Sequence, residues 1–161
     1  PVIAEINGIA TAAGCQLVAS CDLALASSES QFATPGVNIG LFCSTPMVAL
    51  SRNVNKKSAM HMLLTGDLIN SEKAKDIGLI NDVFQKHQLT DEVNKLAEKI
   101  ATKSSMTVKI GKKAFYDQAE MDLSKAYKYT SMVMSENLLN RDAKEGIDAF
   151  LNKRSPDWKN E

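Results

Sequence analysis

The apolar positions change period near residue 45. Before it, short runs of small and β-branched residues alternate with turn residues; after it, apolar residues recur three and four apart. Val2 to Ile6 is a short, largely β-branched run that predicts a strand, closed by the turn pair Asn7-Gly8. The stretch Ala12 to Ala19, AAGCQLVA, is small and apolar and predicts a buried helix. Asp22 to Ala26 predicts a second strand, Ser27 to Ser30 a polar turn, and Gln31 to Ala33 a third, short strand. Pro35-Gly36 then breaks regular structure. Strand, helix and strand in this order imply layered α/β packing.

Beyond Thr45 the pattern is almost wholly helical. Ala59, Met60, Leu63 and Leu64 predict a helix over Lys56 to Leu64. Ser71 is placed to cap a helix running to Ile77, and Gly78 stands where a helix C-terminal glycine belongs. Leu79 to Phe84 is the one later strand. Leu89, Val93, Leu96, Ala97 and Ile100 mark an amphipathic helix. Leu123, Ala126, Tyr127, Val133, Met134 and Leu138 mark another, and Ile147, Phe150 and Leu151 a last one. The expected division is an α/β part over residues 1–84 and a helical part over 85–161, whose helices pack on the first part or on a neighbouring subunit. No internal repeat or low-complexity segment is present.

Composition narrows the function classes. With 161 residues, 44% of them hydrophobic, the chain can bury a substantial core. Nineteen basic residues balance nineteen acidic ones, so the electrostatic excess that drives sequence-independent nucleic-acid binding is missing, and a purely electrostatic membrane-surface role is disfavoured. No apolar stretch approaches the roughly 20 residues of a membrane span. The opening Pro1-Val2-Ile3-Ala4-Glu5 carries no basic leader, and it begins inside a strand-like segment as though cut from something longer. Cys15, Cys21 and Cys43 form neither a CxxC pair nor an even set, which argues for a reducing compartment and small core thiols. With only His61 and His87 beside them, no metal site is expected.

The segment with most chemical content is Asn7 to Gly40, NGIATAAGCQLVASCDLALASSESQFATPGVNIG. Ala12-Ala13-Gly14 is a run of minimal side chains at a helix start. The first turn of a helix has N–H groups without intrahelical acceptors at its electropositive end. Two readings follow from the residues alone: a ligand oxygen can approach those groups closely, or the small residues let the helix pack tightly on its strand. Asp22 and Glu29 are the nearest carboxylates in sequence. Cys43 lacks a neighbouring histidine and reads as a buried or wall-lining thiol.

Taken whole, the segment resembles the crotonase (enoyl-CoA hydratase/isomerase) superfamily, whose pattern runs NGxAxGGGxxLxxxCDxxxAxxxAxFxxPExxxG. The resemblance continues through Leu64-Thr65-Gly66, Ala74 to Leu79 (AKDIGL) and the ending EGIDAFLNKRSPDW at Glu145 to Trp158. It implies an α/β fold: the C-terminal portion of the crotonase-like (ClpP/crotonase) ββα spiral, followed by a helical trimerisation region. It also implies a CoA thioester as ligand or substrate, no permanently bound cofactor, a homotrimer or dimer of trimers, and a mitochondrial setting in lipid metabolism. By the same resemblance the backbone N–H of Ala13 is one oxyanion donor; the other comes from a loop well before Val2. The family's two catalytic glutamates fall on Gln16 and Gly36, so both acids are replaced. Phe150 and Lys153, taken as one helical face, match residues that hold the CoA nucleotide, while Arg154 and Trp158 serve packing or an oligomer contact. After Gly40 the family's glycine-rich run gives way to Cys43-Ser44-Thr45-Pro46-Met47, one residue shorter.

Three readings follow: a CoA-thioester-binding protein with weak or no hydratase activity, an active enzyme on another acyl-CoA, and a non-catalytic oligomerisation subunit. Restoring glutamate at both 16 and 36 is expected to raise any trace hydration.

Overall fold

Two small sheets carry the first part of the chain. In the first, β1 (Ile3–Ile6) pairs in parallel with β3 (Leu23–Ser27), Ile3 facing Leu23 and Ile6 facing Ala26. The other side of β3 takes β6 (Asp82–Phe84), also parallel. In the second, β2 (Ile9–Thr11) runs parallel to β4 (Gln31–Ala33), and β5 (Ile69–Asn70) lies antiparallel to β4. The computed structural model describes residues 1–160.

The opening is therefore strand, strand, helix rather than strand, helix, since Asn7-Gly8 turns the chain directly into β2 before α1 (Ala13–Ser20). β2 and β5 have three and two residues, too short for a period of two to show in sequence. The Ser27–Ser30 turn exposes Ser28 and Glu29 but is anchored from beneath. Ser27 and Ser30 are buried, their hydroxyls 2.9 Å apart, and Ser30 donates to the carbonyl of Ile6 at 2.8 Å, so the turn ties β3 back to β1. Asn81 does similar work at the other end: its Oδ1 accepts from Ala24 N–H at 2.7 Å and its N–H donates to Ala24 O at 2.8 Å.

Helices cover these sheets. α2 (Ser44–Asn53) packs on α1, and Asn53 donates to Ala19 O at 2.7 Å. Pro46 falls in the first turn of α2, where its missing N–H costs nothing. α3 (Lys56–Thr65) is capped by Asn55, and α4 (Ser71–Asp76) by Asn70, whose side chain accepts from Lys73 N–H at 2.8 Å. The expected cap, Ser71, lies one residue inside; it is buried and donates to Ser28 O. Gly78, at φ +82°, ends α4 as expected: Gly78 N–H reaches Lys75 O and Leu79 N–H reaches Ala74 O. Ile6, Val18, Phe32, Leu50, Met62 and Leu63 lie within the shared core.

The chain divides into two compact units, Pro1–Ala97 and Glu98–Glu161. Residues 85–97, expected with the helical part, group with the first unit, and α5 (Leu89–Ala101) runs across the division. The second unit holds α6 (Ser105–Ala119), α7 (Leu123–Leu139) and α8 (Arg141–Leu151). Ser104 caps α6 and Asp122 caps α7, and Tyr129 donates to Asp117 at 2.8 Å to join them. α6 is missing from the sequence-based expectation because Lys109, Gly111, Lys112 and Lys113 interrupt its apolar stripe. Among the described residues, the buried hydrophobics of this unit are all alanine: Ala114, Ala126 and Ala149. Of the stripe that marked α7, Leu123, Tyr127, Met134 and Leu138 are exposed, Val133 is half-buried and Ala126 buried. No helix of the described residues is long and apolar enough to cross a membrane.

Candidate functional site

The chain enters α1 through a strained residue. Ala12 N–H donates to Ala33 O at 3.0 Å, extending the β2–β4 ladder, and Ala12 itself adopts φ +47°, ψ −112°. A left-handed φ at a residue with a Cβ costs about 1–3 kcal/mol and persists only where the surroundings impose it. The next residue, Ala13, is the first of the helix and is exposed. The first N–H bonded back into the helix is that of Gln16, to Ala12 O at 3.0 Å. The N–H groups of the first turn thus lie at the positive end of the helix, with no acidic side chain in that turn. Gln16 follows one turn after Ala13 and is half-buried, so the helix brings these two positions together.

Gly36 belongs to the 3₁₀ turn Pro35–Ile39 that follows β4. Its carbonyl accepts from Leu41 N–H at 2.9 Å and its N–H donates to the Sγ of Cys43 at 3.3 Å. A Cβ at position 36 would stand 2.6 Å from Leu41 O, 2.9 Å from Cys43 Sγ and 3.2 Å from Cys43 N. The space for a side chain is therefore filled, and two of the three obstructing atoms are backbone. The expected gain from glutamate at 36 therefore requires the 36–43 loop to shift first. The buried hydroxyl of Thr34, two residues earlier, has no hydrogen-bond partner.

Cys15 and Cys43 are buried, and the thiol of Cys15 is pushed up to about 11, first by burial and then by the neighbouring Cys43. A thiol with that pKa stays protonated at neutral pH and is a poor nucleophile. The nearby carboxylates are engaged elsewhere. Asp22 accepts from Val2 N–H at 2.6 Å, and Glu29 pairs with Lys86 at 3.3 Å.

In the second unit, Phe150 is 82% exposed and borders a groove of about 570 Å³ with Ile147, Leu151 and Trp158. Lys153 is not on the same helical face, because α8 ends before it. Lys153 sits at φ +49°, with Lys153 N–H on Phe150 O at 3.3 Å and Arg154 N–H on Ala149 O at 3.0 Å. This is the left-handed exit usually filled by glycine. Arg154 and Trp158 lock the exit from within the chain. The guanidinium grips Glu145 at 2.6 and 2.9 Å and Asp148 at 2.5 Å; the indole donates to Thr102 O at 2.9 Å. Gly146 leaves room for that indole, since a Cβ there would meet it at 3.0 Å. Buried Asp142 accepts the N–H groups of Lys159 and Asn160, both at 2.9 Å. Its carboxyl is held below the usual range by the Ser104 hydroxyl first and these N–H groups next.

The sequence profile described as Enoyl-CoA hydratase/isomerase matches residues 1–161. The chain belongs to that family. The rat "Enoyl-CoA hydratase domain-containing protein 3, mitochondrial" is 54% identical over 158 residues, which are 98% of this chain and 53% of the relative. The "Enoyl-CoA hydratase, mitochondrial" of Pongo abelii is 35% identical over 162 residues, 100% of this chain and 56% of the relative. Among solved structures, an enoyl-CoA hydratase of Mycobacterium smegmatis superposes with a TM-score of 0.96 at 50% identity, covering 98% of this chain and 62% of that one. Human enoyl-coenzyme A hydratase domain-containing protein 3 gives 0.95 at 55% identity, with the same coverages. The fold is thus the α/β crotonase fold, and the chain spans about half the length of the curated relatives it matches.

Within this enoyl-CoA hydratase/isomerase chain, Ala13, Gln16 and Gly36 fall in the first unit, Phe150 and Lys153 in the second. Sequence reasoning missed the role of Leu41 and Cys43 in sealing Gly36. The one signal of it in the sequence is the segment between Gly40 and Pro46, one residue shorter than the family pattern.

Proposed function

We propose that this chain belongs to an acyl-CoA thioester-binding protein of fatty-acid or lipid metabolism that retains an oxyanion-binding helix and has little or no hydratase activity. The observation that carries this reading is the sealed Gly36. Position 16 offers a neutral amide, which orients water but does not accept its proton at a useful pKa. Position 36 offers no side chain and no space for one. Positioned acid–base groups contribute about 10²–10⁴-fold each, so hydration by the family's route falls steeply.

On this reading the Ala13 N–H donates to the thioester oxygen, a donor that alanine supplies as well as glycine. The whole protein supplies the second donor. The exposed ring of Phe150 offers a face to the adenine and Lys153 a charge to the nucleotide phosphate. The CoA thioester enters as ligand or substrate, not as a resident cofactor. The assembly proposed with it is a homotrimer or dimer of trimers, supported by a helical unit whose buried apolar residues are alanines and which exposes many larger ones, Leu123, Tyr127, Leu139 and Phe150 among them. The location proposed is the mitochondrion, a word that several relatives at 54% identity carry in their names.

The test is calorimetric titration of the full-length protein with acetyl-CoA and crotonyl-CoA, alongside a crotonyl-CoA hydration assay. Saturable binding with hydration far below that of an active relative is expected. Absence of binding to both thioesters, or hydration near the relative's rate, overturns the reading.

A further inference from the structure

A second concave site lies on the first unit, between α3, β5 and α4. It is a pocket of about 280 Å³ lined by Lys57, Ser58, His61 and Met62 of α3, Ile69 of β5, and Lys73 and Ile77 of α4. Lys57 and His61 are one helical turn apart and share a face. The floor is apolar: Met62 and Ile77 are buried and Ile69 half-buried. The rim is basic. No carboxylate lines the pocket, and among the described residues none forms an ion pair with Lys57, His61 or Lys73. The acids nearest in sequence, Glu72 and Asp76, interact with Lys75, which itself pairs with Asp82 at 2.7 Å.

We propose that this pocket binds a small aliphatic carboxylate, its chain on Met62, Ile69 and Ile77 and its head group between Lys57, His61 and Lys73. Charge complementarity selects an anion, and the apolar floor selects one with a hydrocarbon body. A pocket of about 280 Å³ suits a short chain, for which hexanoate is the representative. The site is independent of α1 and of the CoA reading, because none of its residues belongs to the Ala13–Gln16 turn or the 36–43 loop.

The probe is hexanoate, titrated into the full-length protein with ¹³C-methyl-methionine, reading the Met62 methyl resonance. A saturable shift with Kd on the order of millimolar is expected for a ligand of this size. Hexanol and inorganic phosphate, each lacking one half of the recognition, should leave the resonance in place. Lys57→Gln with Lys73→Gln removes two exposed charges and should weaken hexanoate by about two- to twentyfold while Tm without ligand is unchanged. The proposal is overturned if hexanol shifts Met62 as strongly as hexanoate, if phosphate alone does so, or if hexanoate shifts other methionines and not Met62. Equal hexanoate affinity in the double variant overturns it too.

Discussion

Replacing Gly36 by alanine isolates what the loop has done to the site. The added Cβ would lie 2.6 Å from Leu41 O, 2.9 Å from Cys43 Sγ and 3.2 Å from Cys43 N. Cys43 Sγ can turn away about χ1, but Leu41 O and Cys43 N are backbone atoms, so relieving the closest contact moves the loop itself. Doing so lengthens the Leu41 N–H to Gly36 O bond (2.9 Å) and the Gly36 N–H to Cys43 Sγ bond (3.3 Å). Overpacking of this kind costs about 1–3 kcal/mol, and two weakened hydrogen bonds fall within the same order. For a chain of this length that corresponds to a fall in Tm of about 2–12 °C. Thermal unfolding followed by far-ultraviolet circular dichroism measures it. Adding Cys43→Ala removes the sulfur contact but leaves the carbonyl, so it should return only part of the loss. Gly36→Glu carries the same clash and should destabilise without gaining hydration, whereas Gln16→Glu, isosteric and half-buried, should fold normally. A Gly36→Ala variant with unchanged Tm, or a Gly36→Glu variant that folds and hydrates crotonyl-CoA, would refute the sealed-loop argument.

Other substitutions test neighbouring parts of the picture. Gly111 lies within α6 with open space for 4 Å around the point where a Cβ would stand, so Gly111→Ala should stabilise by about 0.5–1 kcal/mol in denaturant titration. The Glu145 carboxyl is lowered from the usual 4.5 to about 2, chiefly by Arg154 and next by the Asp157 N–H. A depressed folded pKa stabilises above the unfolded value and is lost on acidification, so Trp158 fluorescence should report loosening between about pH 4.5 and pH 2, an acid limb that Glu145→Gln diminishes and that Asp142, also depressed, leaves in part. Iodoacetamide at neutral pH should label half-buried Cys21 well before Cys15 and Cys43, and mass spectrometry of the digest gives the order.

Much of the fold is legible in the sequence wherever one element carries its own signal. β4 is found at its observed bounds, α5 follows from its apolar spacing, and Gly78 marks the end of α4. Elements that exist only by virtue of a partner are not legible: β2 and β5 are held by β4 and have no period of their own. α6 fails differently, because its stripe is diluted by lysines and its cap, Ser104, is the only local cue. At the site, the identities at 13, 16 and 36 are plain from the motif. The consequence at 36 is not, because it depends on where residues 41 and 43 return in space. Lys153 shows the same limit, since spacing alone placed it on a helix that had already ended.

On the proposed reading, positions 16 and 36 differ in what restoring an acid requires. At position 16 the amide keeps the shape of glutamate, and one substitution restores the acid. At position 36 a Cβ meets Leu41 O at 2.6 Å and Cys43 Sγ at 2.9 Å, so an acid there requires the loop to move. On the proposed reading, the Ala13 N–H still donates to the thioester oxygen, an interaction worth about 10²–10³-fold in rate where charge develops on that oxygen. What is gone is proton transfer, about 10²–10⁴-fold per group. A site with the first and without the second polarises a thioester carbonyl but has no positioned base to activate water against it. On the proposed reading, that balance favours holding an acyl-CoA over hydrating it, and an acid at 36 needs the loop to move as well.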